Sequence, residues 1–135
     1  MKKYFTSKEF VCFFAYFCLG LSFLQLTSFW ITNNGFATIN DHMIFGLYGN
    51  NFLSGLLSLL FLIILYYLFF KDKKTRIIFS LVFAGTASNV LDRLVYGGVV
   101  DYIKILSFPI FNLADVFITI GLLCIVWTSL KIAKR

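Results

Sequence analysis

Histidine is nearly missing from this 135-residue chain, with His42 the single example. One imidazole cannot build a multi-histidine metal site, and Asp41-His42 has no partner that completes a catalytic triad, so the pair reads as solvated loop. Cysteine is scarce too. Cys12, Cys18 and Cys124 each lie inside an apolar stretch. Their spacing matches neither a metal motif nor a disulfide framework, and we read them as packing residues. Proline occurs once, at Pro109. There is no Pro/Ser-rich linker, low-complexity tract or repeat, so nothing divides the chain, and its length suits a single domain. Charged residues make up 13% of it, which leaves long stretches without any.

What is present is apolar. Hydrophobic residues make up 60% of the chain and phenylalanine alone occurs 18 times; mean hydropathy is +0.88. A soluble domain of this size keeps too much surface exposed to hide that composition. An over-hydrophobic soluble helical bundle is the alternative, and the length of the uncharged runs argues against it. Four segments suit spanning helices: Phe10 to Ile31, Leu47 to Phe70, a third from just after Arg76 to Leu91, and Asn112 to Leu130. They lack the alternation of a membrane barrel. The fold class expected is therefore an all-α integral membrane protein with four transmembrane helices.

The formal charge of +6 would suggest nucleic acid in a soluble protein. Here the cations gather at the ends of apolar runs and read as an orientation signal, with no nucleic-acid partner. Lys2, Lys3 and Lys8 precede the first run, Lys71, Lys73, Lys74 and Arg76 separate the second and third, and Lys131, Lys134 and Arg135 follow the fourth. With four spans these groups share one side, which the positive-inside rule makes the cytoplasm. Arg93 and Lys104 fall on the other side. The opening Met1-Lys2-Lys3 resembles a signal peptide, but its apolar run is long and no small-x-small site closes it, so it is expected to stay as a first helix.

The remaining polar residues collect in the two outer connections, Thr32 to Phe45 and Tyr96 to Phe111, and at the adjoining helix ends. Asn89, Asp92 and Arg93 are three and four apart on one helix and share roughly one face. Asn112 and Asp115 open the last helix, and Asp101 lies between the two clusters, where Gly97-Gly98 allows the chain to turn back. Ionisable residues at membrane depth are functional candidates by default. Two carboxylates sharing a proton in an apolar site supply a base for water and a hydrogen-bond donor for a peptide carbonyl, enough for amide hydrolysis without Ser, Cys or metal. Each residue also has a plainer reading. Asn112-x-x-Asp115 is a helix cap, Asp92-Arg93 is an interfacial charge pair, and Asp101 is a solvated loop residue. The residues alone give a carboxylate-rich outer pocket and no substrate.

Three segments in order carry a resemblance: Gly85-Thr86-Ala87-Ser88-Asn89-Val90-Leu91-Asp92-Arg93, Gly98-Val99-Val100-Asp101-Tyr102 and Phe111-Asn112-Leu113-Ala114-Asp115. They resemble the lipoprotein signal peptidases (signal peptidase II), whose signatures read roughly G-N-x-x-D-R, G-x-V-x-D-F/Y and F-N-x-A-D. The resemblance implies that Asp101 and Asp115 are the catalytic pair. It implies that Asn89, Arg93 and Asn112 line the site and hold the substrate backbone or the pair, with Asp92 supporting Arg93. Asn33, Gly35 and Ala37 partly match an N-x-G-A-A pattern near the site. The departures are Ser88 in place of Gly, Phe36 and Thr38 within that pattern, and an uncharged Leu24-Gln25-Leu26-Thr27-Ser28 where a D-Q-x-T-K pattern is usual.

The expectation is then a monomeric aspartic endopeptidase of the bacterial inner membrane, its active site facing outward, that removes signal peptides from diacylglyceryl-modified prolipoproteins. The substrate would enter sideways from membrane lipid, and no metal or organic cofactor is implied. A non-catalytic relative that binds lipoprotein precursors or lipid is the alternative motivated by the uncharged first helix. A small ion-coupled transporter is a third, motivated only by aspartates in apolar helices.

Overall fold

A computed structural model describes residues 6–41, 51–69 and 73–133. The elements run α1 (Ser7–Asn33), β1 (Thr38–Asn40), α2 (Asn51–Phe69), α3 (Lys73–Tyr96), β2 (Val99–Asp101) and α4 (Leu113–Ala133). The expected start of the second helix at Leu47, and His42, lie outside the described residues.

Local chemistry moves the helix ends away from the ends of the apolar runs. α1 starts before Phe10 because Thr6 and Glu9 form a reciprocal cap: Glu9 N donates to Thr6 Oγ1 at 3.3 Å and Thr6 N donates to Glu9 Oε2 at 3.2 Å. At the other end Gly35 takes φ +74°, and Gly97 takes φ +77° just after α3. Glycine enters this left-handed region without the Cβ penalty, which lets both helices stop abruptly. α3 continues past Leu91, through Asp92 and Arg93, because donors on α1 and β2 satisfy the Asp92 carboxylate.

α3 is the central helix. It packs most extensively on α4 and α1, and less on α2. Leu62, Phe79, Val82 and Ile125 form the buried core of the α2–α3–α4 contact. α1 buries one stripe, Gly20, Leu24 and Ser28, at the four-residue spacing of a single helix face. Small residues let the backbones approach: a Cβ on Gly85 would lie 2.7 Å from the Ala114 carbonyl oxygen. Such close packing is how helices associate where lipid removes the hydrophobic drive between them. Among the described residues, α1 and the Thr75–Tyr96 part of α3 are long and apolar enough to cross a membrane; α2 and α4 carry shorter apolar stretches, Leu53–Ile64 and Leu113–Thr128.

The expectation of an all-α fold needs correction, because the chain is mostly rather than wholly helical. β1 and β2 pair antiparallel, with Thr38 opposite Asp101, Ile39 opposite Val100 and Asn40 opposite Val99. An isolated bridge joins Ile103 to Phe111. The strands come from the connections that follow α1 and α3. These helices end side by side, so the extended chain leaving each finds backbone partners on the other. Burying β2 on all three residues then requires that ladder, since a buried peptide group without a partner is costly.

Candidate active site

The site forms where the ends of α1 and α3 meet the start of α4 and the strand pair. Asp101 is the last residue of β2 and only 3% exposed. Its Oδ2 accepts from Asn40 Nδ2 at 2.9 Å and its Oδ1 accepts from Asn112 Nδ2 at 3.2 Å. Burial pushes its carboxyl up to about 6, and the negative charge of Asp115 adds to the effect. The Asn40 hydrogen bond and the Arg93 guanidinium oppose it.

Asp115 sits one turn into α4. Asn112 Oδ1 accepts from Asp115 N at 2.9 Å, and Asp115 Oδ2 accepts from Asn112 N at 3.3 Å. Asn112 is therefore the helix cap. The same amide does more than cap. Its Nδ2 is shared between Asp101 and Asn89 Oδ1, the latter at 3.0 Å, while Asn89 Nδ2 donates to Asp115 Oδ1 at 2.9 Å. Asp101, Asn112, Asn89 and Asp115 thus form one continuous chain of hydrogen bonds. The cap reading and the site reading of Asn112-x-x-Asp115 hold together.

Asp92 does a different job. Positions three apart on a helix are offset by about 60°, so Asn89 faces α4 while Asp92 faces α1 and β2. Gln25 Nε2 donates to Asp92 Oδ1 at 3.0 Å, Ser28 Oγ to Oδ2 at 3.4 Å, and Val100 N to Oδ2 at 3.3 Å. Gln25 Nε2 also reaches Ser88 Oγ at 3.0 Å. One buried carboxylate therefore ties α1 and β2 to α3 and fixes the strand that carries Asp101. The uncharged first helix fits here: Leu24 and Ser28 lie on the buried α1 stripe, and the Ser28 hydroxyl supplies a donor to Asp92.

Arg93 is the cation of the cluster. Its Nη1 donates to the Asn89 carbonyl at 3.1 Å, and its buried Nε has no partner among the described residues. Arg93, Asn89 and Asp115 line a groove of about 380 Å³ whose opposite wall includes Leu57, Ser58 and Phe61 of α2. The groove thus has an apolar wall facing a polar one. Among the described residues no group of three or more His, Cys, Asp or Glu is placed to hold a metal ion.

Of the expected site residues, Asn89, Asp92, Arg93, Asp101, Asn112 and Asp115 converge. Asn33 and Gly35 are exposed at the turn leaving α1, and no hydrogen bond described here ties either to the carboxylates. Asn40, Gln25 and Ser28 were not among the expected site residues. Asn40 stood out only as a polar residue in the first outer connection, and its partner is 61 positions away. Tyr102 is a further addition: its Oη accepts from Leu113 N at 3.2 Å, holding the first turn of α4 against the loop after β2.

Comparison with known proteins identifies the family. The family model for signal peptidase (SPase) II matches residues 3–131. The lipoprotein signal peptidase of Thermodesulfovibrio yellowstonii is 45% identical over 71 residues, 50% of this chain and 48% of that protein. Those of Caldicellulosiruptor bescii and Staphylococcus aureus are 41% and 39% identical, each over 56% of this chain and 52% of theirs. These matches span about half the length of the curated relatives. Two solved structures described as bacterial membrane enzymes are similar along nearly the whole fold. They have TM-scores of 0.73 and 0.72 and identities of 30% and 29%, and the match covers 96% of this chain and 92% and 97% of theirs. With the motif residues gathered at one site, and the family model spanning nearly all of the sequence, the chain belongs to the signal peptidase II family.

Proposed function

We propose that the chain is a membrane-embedded aspartic endopeptidase that removes signal peptides from lipid-modified prolipoproteins, using Asp101 and Asp115 to activate water. The observation that carries this is the hydrogen-bonded chain Asp101–Asn112–Asn89–Asp115, which links two carboxylates, one of them, Asp115, lining a half-apolar groove. One proton shared by the pair, together with the Arg93 cation, leaves these three groups electrically neutral, a favourable state at the edge of lipid. The raised Asp101 supports keeping that proton on Asp101.

Asp115 takes a proton from water as the water oxygen attacks the scissile carbonyl carbon, while the Asp101 hydroxyl donates a hydrogen bond to the carbonyl oxygen. The tetrahedral intermediate then collapses. The C–N bond breaks, and the proton held by Asp115 passes to the leaving amine. The Arg93 Nε, without a partner among the described residues, suits a substrate carbonyl, and the apolar α2 wall suits a signal helix arriving from lipid.

The membrane topology belongs to the same reading. α2 has 19 residues and α4 has 21, about 28 and 32 Å at 1.5 Å per residue, against a hydrocarbon core of about 30 Å. In this reading the chain is a single-domain monomer that crosses the inner membrane four times, with both termini in the bacterial cytoplasm, by the positive-inside rule, and the dyad at the outer face.

The test is a gel-shift assay of purified protein in detergent with a diacylglyceryl-modified prolipoprotein, run beside Asp115→Asn. Cleavage by the parent and none by a folded variant is expected. A folded parent that binds the precursor without cutting it would replace this reading with the non-catalytic one.

A further inference from the structure

The far end of the bundle holds a second polar cluster that proteolysis does not use. Arg76, in the first turns of α3, is 8% exposed, and its Nη1 meets Glu9 Oε2 at 3.1 Å. The same Glu9 closes the α1 capping box with Thr6, so the α1 cap, Glu9 and α3 form one connected unit. Beside it, between α1 and α3, lies a groove of about 120 Å³, roughly four water volumes. Lys8, Glu9 and Arg76 stand at its polar end, and Phe13, Tyr16 and Ile77 line it further along.

We propose that this groove is a binding site for an anionic phospholipid, its phosphodiester between Lys8 and Arg76 and the start of an acyl chain against Phe13 and Ile77. Charge complementarity selects this occupant. Among the described lining residues two cations stand against one carboxylate, an excess of one positive charge that a single phosphodiester neutralises. The order of the lining, charged at the helix starts and apolar toward the middle of the bundle, is the order of a lipid from head to tail. Lys8 is exposed and able to swing to the phosphate, while Arg76 is held by Glu9 as a fixed point. The proposal needs the chain to sit in a membrane but does not need it to cleave anything, so its failure and that of the peptidase reading are separable.

Native mass spectrometry of the full chain, from micelles doped equally with phosphatidylglycerol and phosphatidylcholine, tests it. One phosphatidylglycerol should be retained in preference. Lys8→Gln should lower its retention about fivefold, the effect of one basic residue at an anionic surface. Lys8→Arg should restore it. Lys131→Gln, at the same end on α4, should leave it unchanged. Equal retention of the two lipids, or equal losses from Lys8→Gln and Lys131→Gln, would overturn the proposal in favour of diffuse attraction. Cys12 lines the groove and serves as a reporter in a Cys18→Ser, Cys124→Ser background. Phosphatidylglycerol vesicles should slow its alkylation relative to phosphatidylcholine vesicles. Slowing by inorganic phosphate alone would assign the groove to a free anion instead.

Discussion

Replacing Asn40 with alanine tests the proton chemistry of Asp101. Asn40 Nδ2 donates to Asp101 Oδ2 at 2.9 Å, a bond that favours the ionised carboxylate and so restrains the upward shift caused by burial. A hydrogen bond to a charged group contributes about 1.5 kcal/mol, and 1.36 kcal/mol corresponds to one pKa unit. Asn40→Ala should therefore move Asp101 from about 6 to about 7. The active form in the mechanism above keeps the proton on Asp101, so cleavage falls as pH rises through that value. In kcat/KM against pH, the alkaline limb should begin near 6 for the parent and about one unit higher for the variant. Stability should follow the same sign. The folded carboxyl holds its proton more tightly than the unfolded one, so its contribution is complete below the ordinary value of 3.8 and is lost as pH rises through about 6. That loss is about 3 kcal/mol, and the variant should lose roughly 1 kcal/mol more above pH 7. An alkaline limb that stays in place or moves to lower pH in Asn40→Ala would refute the assignment of the proton to Asp101.

Asp101→Asn should lower cleavage by at least about a hundredfold while preserving the helical circular dichroism of the parent; residual activity near the parent's would remove Asp101 from the chemistry. Asp92→Asn leaves one acceptor for the donors of Gln25, Ser28 and Val100 and should cost about 1–3 kcal/mol in thermal unfolding. It should also lower cleavage and, because the Asp92 charge helps to raise Asp101, move the alkaline limb to lower pH; a limb that moves to higher pH would mean that Asp92 does not act on Asp101 through its charge. Gly85→Ala forces a methyl against the Ala114 carbonyl and should cost about 1–3 kcal/mol. Because α4 carries Asp115, its cleavage rate should fall as well; parent-like stability and rate would mean that α3 and α4 tolerate separation at this point.

The four helices were legible from the length of the uncharged runs, because a membrane-length helix needs a fixed number of apolar residues. The cap at Asn112 was legible because it closes within three residues of itself. The motif spacing singled out both carboxylates together with Asn89, Arg93 and Asn112. The division of labour among these residues was not legible. Asn89 and Asp92 share a side of α3 in the sequence pattern, yet one bridges the two carboxylates and the other anchors α1 and β2, since 60° of helix rotation points them at different neighbours. The strand pair was missed because three residues on each side carry too short a pattern, and their register depends on helices that end together only after packing. The bond from Asn40 to Asp101 depends on that register. Sequence by itself determined which segments are long, apolar and helical, and which ionisable side chains among them suggest a function. Only the tertiary structure decided which of those side chains share a hydrogen-bonded network, because contacts across 61 residues follow from how α1 and α4 pack on α3 and leave no local period to read.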